Sequence, residues 1–137
     1  MGTPPTTSEA EWKRKVLTSA GPYPLAAYEF VHEGLGYAVR RFHGESGGGG
    51  NRHVSGQQLC LGLREFAIQQ FGLMAPAVLS HWNIRRTDDF GRMVFAMIAA
   101  EVMSRTDEDT LEDFRGVYDF DEAFNQSAVA ACLGGVR

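Results

Sequence analysis

The sequence predicts an all-α protein: a compact single-domain bundle of about five to six helices around a central helix that starts at Ser55. Three observations predict it. Apolar residues recur at spacings of three and four along most of the chain, the period of a helix with one buried face. Caps and breaks punctuate those runs, with cap residues at Ser55, Thr87 and Asp119 and stops at Gly72 and Asn83. The chain has 137 residues, 44% of them hydrophobic and 11% aromatic, which is ample for one core and leaves room for little else.

Taken in order, residues 1–7 read as a disordered Pro/Thr tail ahead of a single domain over 8–130. Ser8 with Glu11 has the spacing of a capping box, so a first helix runs to about Thr18 with Lys13, Arg14 and Lys15 outward, and stops at Gly21-Pro22. From Pro24 to Phe42, the residues Tyr28, Val31, Leu35, Val39 and Phe42 predict a second helix. Gly34 and Gly36 weaken it by about 1 kcal/mol each relative to Ala, and glycines inside a helix point to close approach of a neighbour. The stretch GESGGGGN, residues 44–51, reads as a mobile loop. It is no phosphate cradle, because Asn51, Arg52 and His53 stand where a P-loop needs Lys and a hydroxyl.

The central stretch runs from His53 to Val102. Ser55 and Gln58 have capping-box spacing, and Val54 and Leu59 occupy the two positions of a hydrophobic staple around the same cap. Leu59, Leu63, Phe66, Ala67 and Phe71 form one stripe, while Leu61 and Ile68 make the opposite side apolar, so this helix is expected at the centre. Gly72 stops it, with Leu73 folding back on Ile68. Pro76 opens the next helix, with Met74, Ala77, Val78 and Trp82 facing inward, and Asn83 ends it with Ile84 returning to Leu79. Thr87 caps a third helix, Asp88 and Asp89 suit the positive end of its dipole, and Phe90, Val94, Met97, Ile98 and Val102 form its inward face.

Further on, Thr106 is expected to cap a short turn that ends at Gly116. Residues 117–120 read as extended, and Asp119 with Glu122 starts a last helix containing Phe124. Residues 131–137 read as a frayed end. The formal charge of −4 conceals an asymmetry, because 106–122 holds eight acidic residues against Arg115 alone. The aromatics Phe114, Tyr118, Phe120 and Phe124 lie in that acidic segment and are expected to pin it across the core.

The runs YPLAAYEFV, HVSGQQLCLGLREFAIQQFG and LMAPAVLSHWNIRRTDDFGRMVF resemble a family of small bacterial proteins with no assigned activity. The resemblance covers about Tyr23 to Phe124, rests on HVSGxxLCxGxR and TxDFGxxVF, and leaves the glycine-rich stretch and both ends outside. It implies no chemistry.

The residues themselves exclude several function classes. No apolar run reaches the roughly 20 residues of a membrane helix, and the N-terminal residues lack an apolar export segment, so cytoplasmic residence is expected. Cys60 and Cys132 lack CxxC spacing and read as free thiols. The four histidines show no metal-ligand spacing, GxSxG is absent, and Asp89-Phe90-Gly91 lacks the other kinase elements, so neither a cofactor nor catalysis is expected. A helix-turn-helix outline across Gly72 offers only Ser80 and His81 to bases, and the acidic balance disfavours nucleic acid. The expectation is a non-enzymatic protein-interaction or regulatory module with a protein partner. Its candidate surface is Arg40, Arg41, Arg85 and Arg86, and its candidate structural polar network is His53, Ser55, Arg64, Thr87, Asp89 and Asp119, with Arg64 paired to Asp89 or Asp119.

Overall fold

The computed structural model describes residues 11, 14, 16, 21–44, 53–101, 103 and 109–134. The tail at 1–7, the Ser8 cap, the glycine stretch beyond Gly44 and the Thr106 cap lie outside them. The protein is all-α, and no strand occurs among the described residues. Glu11, Arg14 and Val16 are helical, with Val16 buried in the core.

Helix α1 spans Leu25–His43 and α2 spans Gly56–Phe71. A 3₁₀ turn at Gly72–Met74 leads directly into α3, Ala75–His81, and α4 follows at Thr87–Ala99. A second 3₁₀ turn at Leu111–Phe114 precedes α5, Phe120–Phe124, and α6, Gln126–Gly134. Helix α2 packs against α1, α3, α4, α6 and both 3₁₀ turns, so the expected central helix is the observed one.

The capping box at its start is complete. Gln58 N–H donates to Ser55 Oγ at 3.0 Å, and Ser55 N–H donates to Gln58 Oε1 at 2.9 Å. Val54 and Leu59 are both buried beside it. Along α2, Leu59, Cys60, Leu63, Phe66, Ala67 and Ile68 are buried, while Leu61, expected on the apolar opposite side with Ile68, is 43% exposed, so the helix keeps one solvent strip with Gln57 and Gln69. Helix α1 lies against it through small residues. A Cβ on Gly62 would stand 2.7 Å from Ala38 Cβ, and one on Gly34 would strike Leu63, so Gly34 marks a close neighbour, whereas Gly36 faces space. Phe30 of α1 then stacks on Phe66 at 5.3 Å and meets Trp82 at 5.5 Å, tying α3 to the pair.

Two expectations around α3 are corrected. Met74 and Ala77 are exposed, and the buried positions of α3 are Ala75 and Leu79, with Val78 and Trp82 half-buried. The cause is the 3₁₀ turn, whose tighter winding rotates the face that a continuous α-helix would present. That turn also carries Leu73 outward, 53% exposed, instead of back onto Ile68. At the other end of α3 the expectation holds. Asn83 takes φ 66°, its N–H donates to Ser80 O at 3.0 Å, and Ile84 N–H donates to Leu79 O at 2.9 Å, with Ile84 and Leu79 both buried.

The other corrections lie in the acidic segment. Among the described residues its turn spans Leu111–Phe114, with Asp109 and Thr110 not helical ahead of it, and Val117 and Tyr118 form a bend where extended backbone was expected, only Asp119 being extended before α5. Helix α6 continues to Gly134, where fraying was expected from 131. Asn125 starts it, accepting the Ala128 N–H at 2.8 Å.

Candidate functional site

The two ends of α4 and α2 that face the acidic segment explain how that segment is held. Phe114 is fully buried between two glycines. A Cβ on Gly56 would lie 2.9 Å from its ring, and a Cβ on Gly91 would lie 2.8 Å from its Cβ. Gly91 of the Asp89-Phe90-Gly91 triplet therefore serves as a seat for Phe114. Thr87 Oγ1 donates to Phe114 O at 2.6 Å and accepts the Val117 N–H at 3.0 Å, and Asp88 accepts the Gly116 N–H at 3.2 Å. Farther along, Tyr118 Oη donates to Cys60 O at 2.7 Å. Burial raises the Tyr118 phenol well above its ordinary pKa and pushes the Cys60 thiol up as well.

Thr87 was expected to cap α4, yet its hydroxyl works across the chain and the helix start is held from inside. Asp89 Oδ2 accepts the N–H groups of Arg85 at 2.8 Å and Arg86 at 3.1 Å. Its Oδ1 accepts from Tyr23 Oη at 2.5 Å and Arg92 at 3.3 Å. Tyr23 was missed from sequence. Its position between Pro22 and Pro24, just before α1, is the signal of a fixed side chain, but nothing local identifies the partner 66 residues away. Burial and the Asp89 carboxylate raise Tyr23 from 10.0 to about 12.

The remaining members of the expected polar network do not join this group. Arg64 donates to the Ala123 carbonyl at 3.2 Å, and neither Asp89 nor Asp119 is its partner among the described interactions. Asp119 caps α5, accepting from Asp121 N–H at 2.8 Å and Glu122 N–H at 3.2 Å. The His53 carbonyl accepts from His43 Nε2 at 2.5 Å, joining the flanks of the glycine stretch. Ser55 serves the α2 cap.

The four arginines form no common patch. Arg40 and Arg41 end α1, where Arg41 pairs with Glu65 at 3.1 Å and lies over the Phe42 ring. Arg85 and Arg86 sit by the opposite end, which Asn83 fixes by donating to Pro22 O at 3.0 Å. The stretch of α1 from Leu25 to Arg40 that separates them corresponds to roughly 23 Å. Both pairs are exposed, and Arg85 also donates to Ser80 Oγ at 3.3 Å.

Two depressions lie among the described residues. One, about 220 Å³, is lined by Asp88, Arg92, Leu111, Glu112 and Arg115. Its charges are already engaged, with Arg115 on Glu112 at 3.1 Å and Arg92 on Asp89 at 3.3 Å. The other is an apolar groove of about 500 Å³ between the Gly72–Met74 turn and α5, lined by Leu73, Pro76, Phe120 and Phe124, with Asp121, Asn125 and Gln126 at its edge. Leu73 in its lining is 53% exposed, its chain neighbour Met74 is 61% exposed, and Leu133, 45% exposed, lies beside Gly72 of the same turn. The sequence reading folded Leu73 back onto Ile68, which hid this groove.

Among the described residues, no cluster of three or more His, Cys, Asp or Glu side chains has metal-binding geometry, and no helix is long and apolar enough to cross a membrane. Cys60 and Cys132 are free thiols. No family model matches the chain, and no match is found among curated proteins or among solved structures.

Proposed function

We propose that the protein is a non-enzymatic protein-interaction module that docks a partner protein in the groove between the Gly72–Met74 turn and α5. The observation that carries this reading is an apolar groove lined by Leu73, Pro76, Phe120 and Phe124, in which Leu73 stands exposed with its chain neighbour Met74, two of the five large apolar side chains exposed among the described residues. Contiguous apolar surface of this kind is kept in water at a cost and marks interaction sites. The arginines, split between the two ends of α1, support no single docking surface.

The helix-turn-helix alternative has less in its favour. Helix α3 has seven residues, and Ser80, one of its two groups suited to bases, already accepts from Arg85.

The test is a comparative pull-down with the wild-type chain and a Leu73→Ser, Met74→Ser variant. Both replaced side chains are exposed, so the variant keeps its fold. A stoichiometric partner retained by the wild type and lost by the variant is the expected result. Equal retention by both would end this assignment of the groove.

A further inference from the structure

The groove has an edge of one sign. Asp121 is the charged residue in its lining, with Glu122 next to it on α5 and the cap residue Asp119 just before that helix, all three exposed. The cations nearest in contact or sequence are engaged elsewhere: Arg64 donates to the Ala123 carbonyl, and Arg115 is held by Glu112. The walls are helical, so their backbone groups bond along their own turns, and a β-strand would find no sheet edge to extend among the described residues.

We infer that the groove takes a basic amphipathic helix of its partner, with apolar side chains between Leu73, Pro76, Phe120 and Phe124 and Lys or Arg over Asp121 and Glu122. This inference rests on the docking surface proposed above and adds the chemistry of its occupant. Helix-in-groove recognition suits an apolar channel whose specificity must come from side chains. Charge complementarity then selects the sign of the flanking residues. A second copy is the poorer occupant, because an isologous contact turns the acidic edge toward its own copy. A nucleic acid backbone meets the same repulsion.

The experiment uses the full chain and two fluorescent peptides of about four helical turns with one shared leucine stripe, one flanked by Lys and the other by Glu. The expected result by anisotropy is at least about tenfold tighter binding of the Lys peptide at about 0.15 M salt, with the preference shrinking toward 1 M. Leu73→Ser weakens both peptides, the pair Asp121→Asn with Glu122→Gln weakens the Lys peptide alone, and Glu112→Gln at the other depression changes neither. Melting curves confirm that each variant is folded.

Equal affinity for both peptides, lost on Leu73→Ser, would overturn the charge selection and leave the groove as a docking surface. Binding of the Lys peptide that ignores Leu73→Ser would overturn the inference by placing the contact elsewhere. Failure of both peptides would overturn it too, with the lysate comparison left to judge the groove independently. A dimer in sedimentation that Leu73→Ser dissolves would give the groove to a second copy and end the inference.

Discussion

The Thr87 hydroxyl donates to the carbonyl oxygen of Phe114 at 2.6 Å, across 27 residues of sequence, and both residues are fully buried. Thr87 Oγ1 also accepts the Val117 N–H at 3.0 Å, so one side chain satisfies two backbone groups of the acidic segment. Thr87→Val keeps the shape and strands both groups, and a loss of about 1–3 kcal/mol in urea unfolding is expected. Thr87→Ser keeps the hydroxyl and loses less. Equal losses for the two variants would mean that the methyl group, not the hydroxyl, holds the segment.

Gly91→Ala is expected to destabilise by about 1–3 kcal/mol, because the new methyl meets Phe114 Cβ at 2.8 Å inside a packed slot. Gly36→Ala is the control. Its Cβ has only the end of the Arg40 side chain for company, at 3.5 Å, so helix propensity decides and stability rises by up to about 1 kcal/mol. Urea midpoints moving in opposite directions check the pair.

Alkaline pH acts on the Tyr23–Asp89 contact. Tyr23 is raised from 10.0 to about 12, so the folded state holds that proton more tightly than the unfolded chain does. The contribution is complete below pH 10 and is lost as pH climbs toward 12. Tyr28, Tyr37 and Tyr118 are raised by burial and act in the same direction. Melting temperature is expected to fall steeply above pH 10, and less steeply in Tyr23→Phe.

Arg64→Ala removes a hydrogen bond to a backbone carbonyl rather than half of a buried ion pair. The expected loss is about 0.5–1.5 kcal/mol, where breaking a buried pair costs about 3–5 kcal/mol. A loss in the larger range, read from urea unfolding, would reveal a charged partner for Arg64.

The two thiols are expected to separate by reactivity. Burial pushes the Cys60 thiol up and shields it, while Cys132 on α6 is partly exposed. Iodoacetamide should label Cys132 in the native protein and Cys60 only after denaturation, with mass spectrometry locating the modified residue.

Much of the fold was legible because its signals are local. The Ser55–Gln58 box, the Asn83–Ile84 stop and the Asp119 cap each depend on residues within a few positions, and each is present as expected. Short-range rules failed where a long-range partner took over. Thr87 has the chemistry of a cap, but Phe114 O competes for its hydroxyl and Asp89 does the capping. The Met74 stripe failed for a geometric reason, since an unforeseen 3₁₀ turn rotates every position after it. The candidate groove was invisible for that same reason.

By itself the sequence determined an all-α protein centred on the helix from Gly56, because periodicity, caps and breaks act within a few turns of chain. Tertiary structure decided which polar groups meet and which apolar ones stay in water. Tyr23 reaches Asp89, Phe114 settles between Gly56 and Gly91, and Leu73 and Met74 are left outside. Those outcomes depend on how whole helices lie against one another, and no short window of residues records that arrangement.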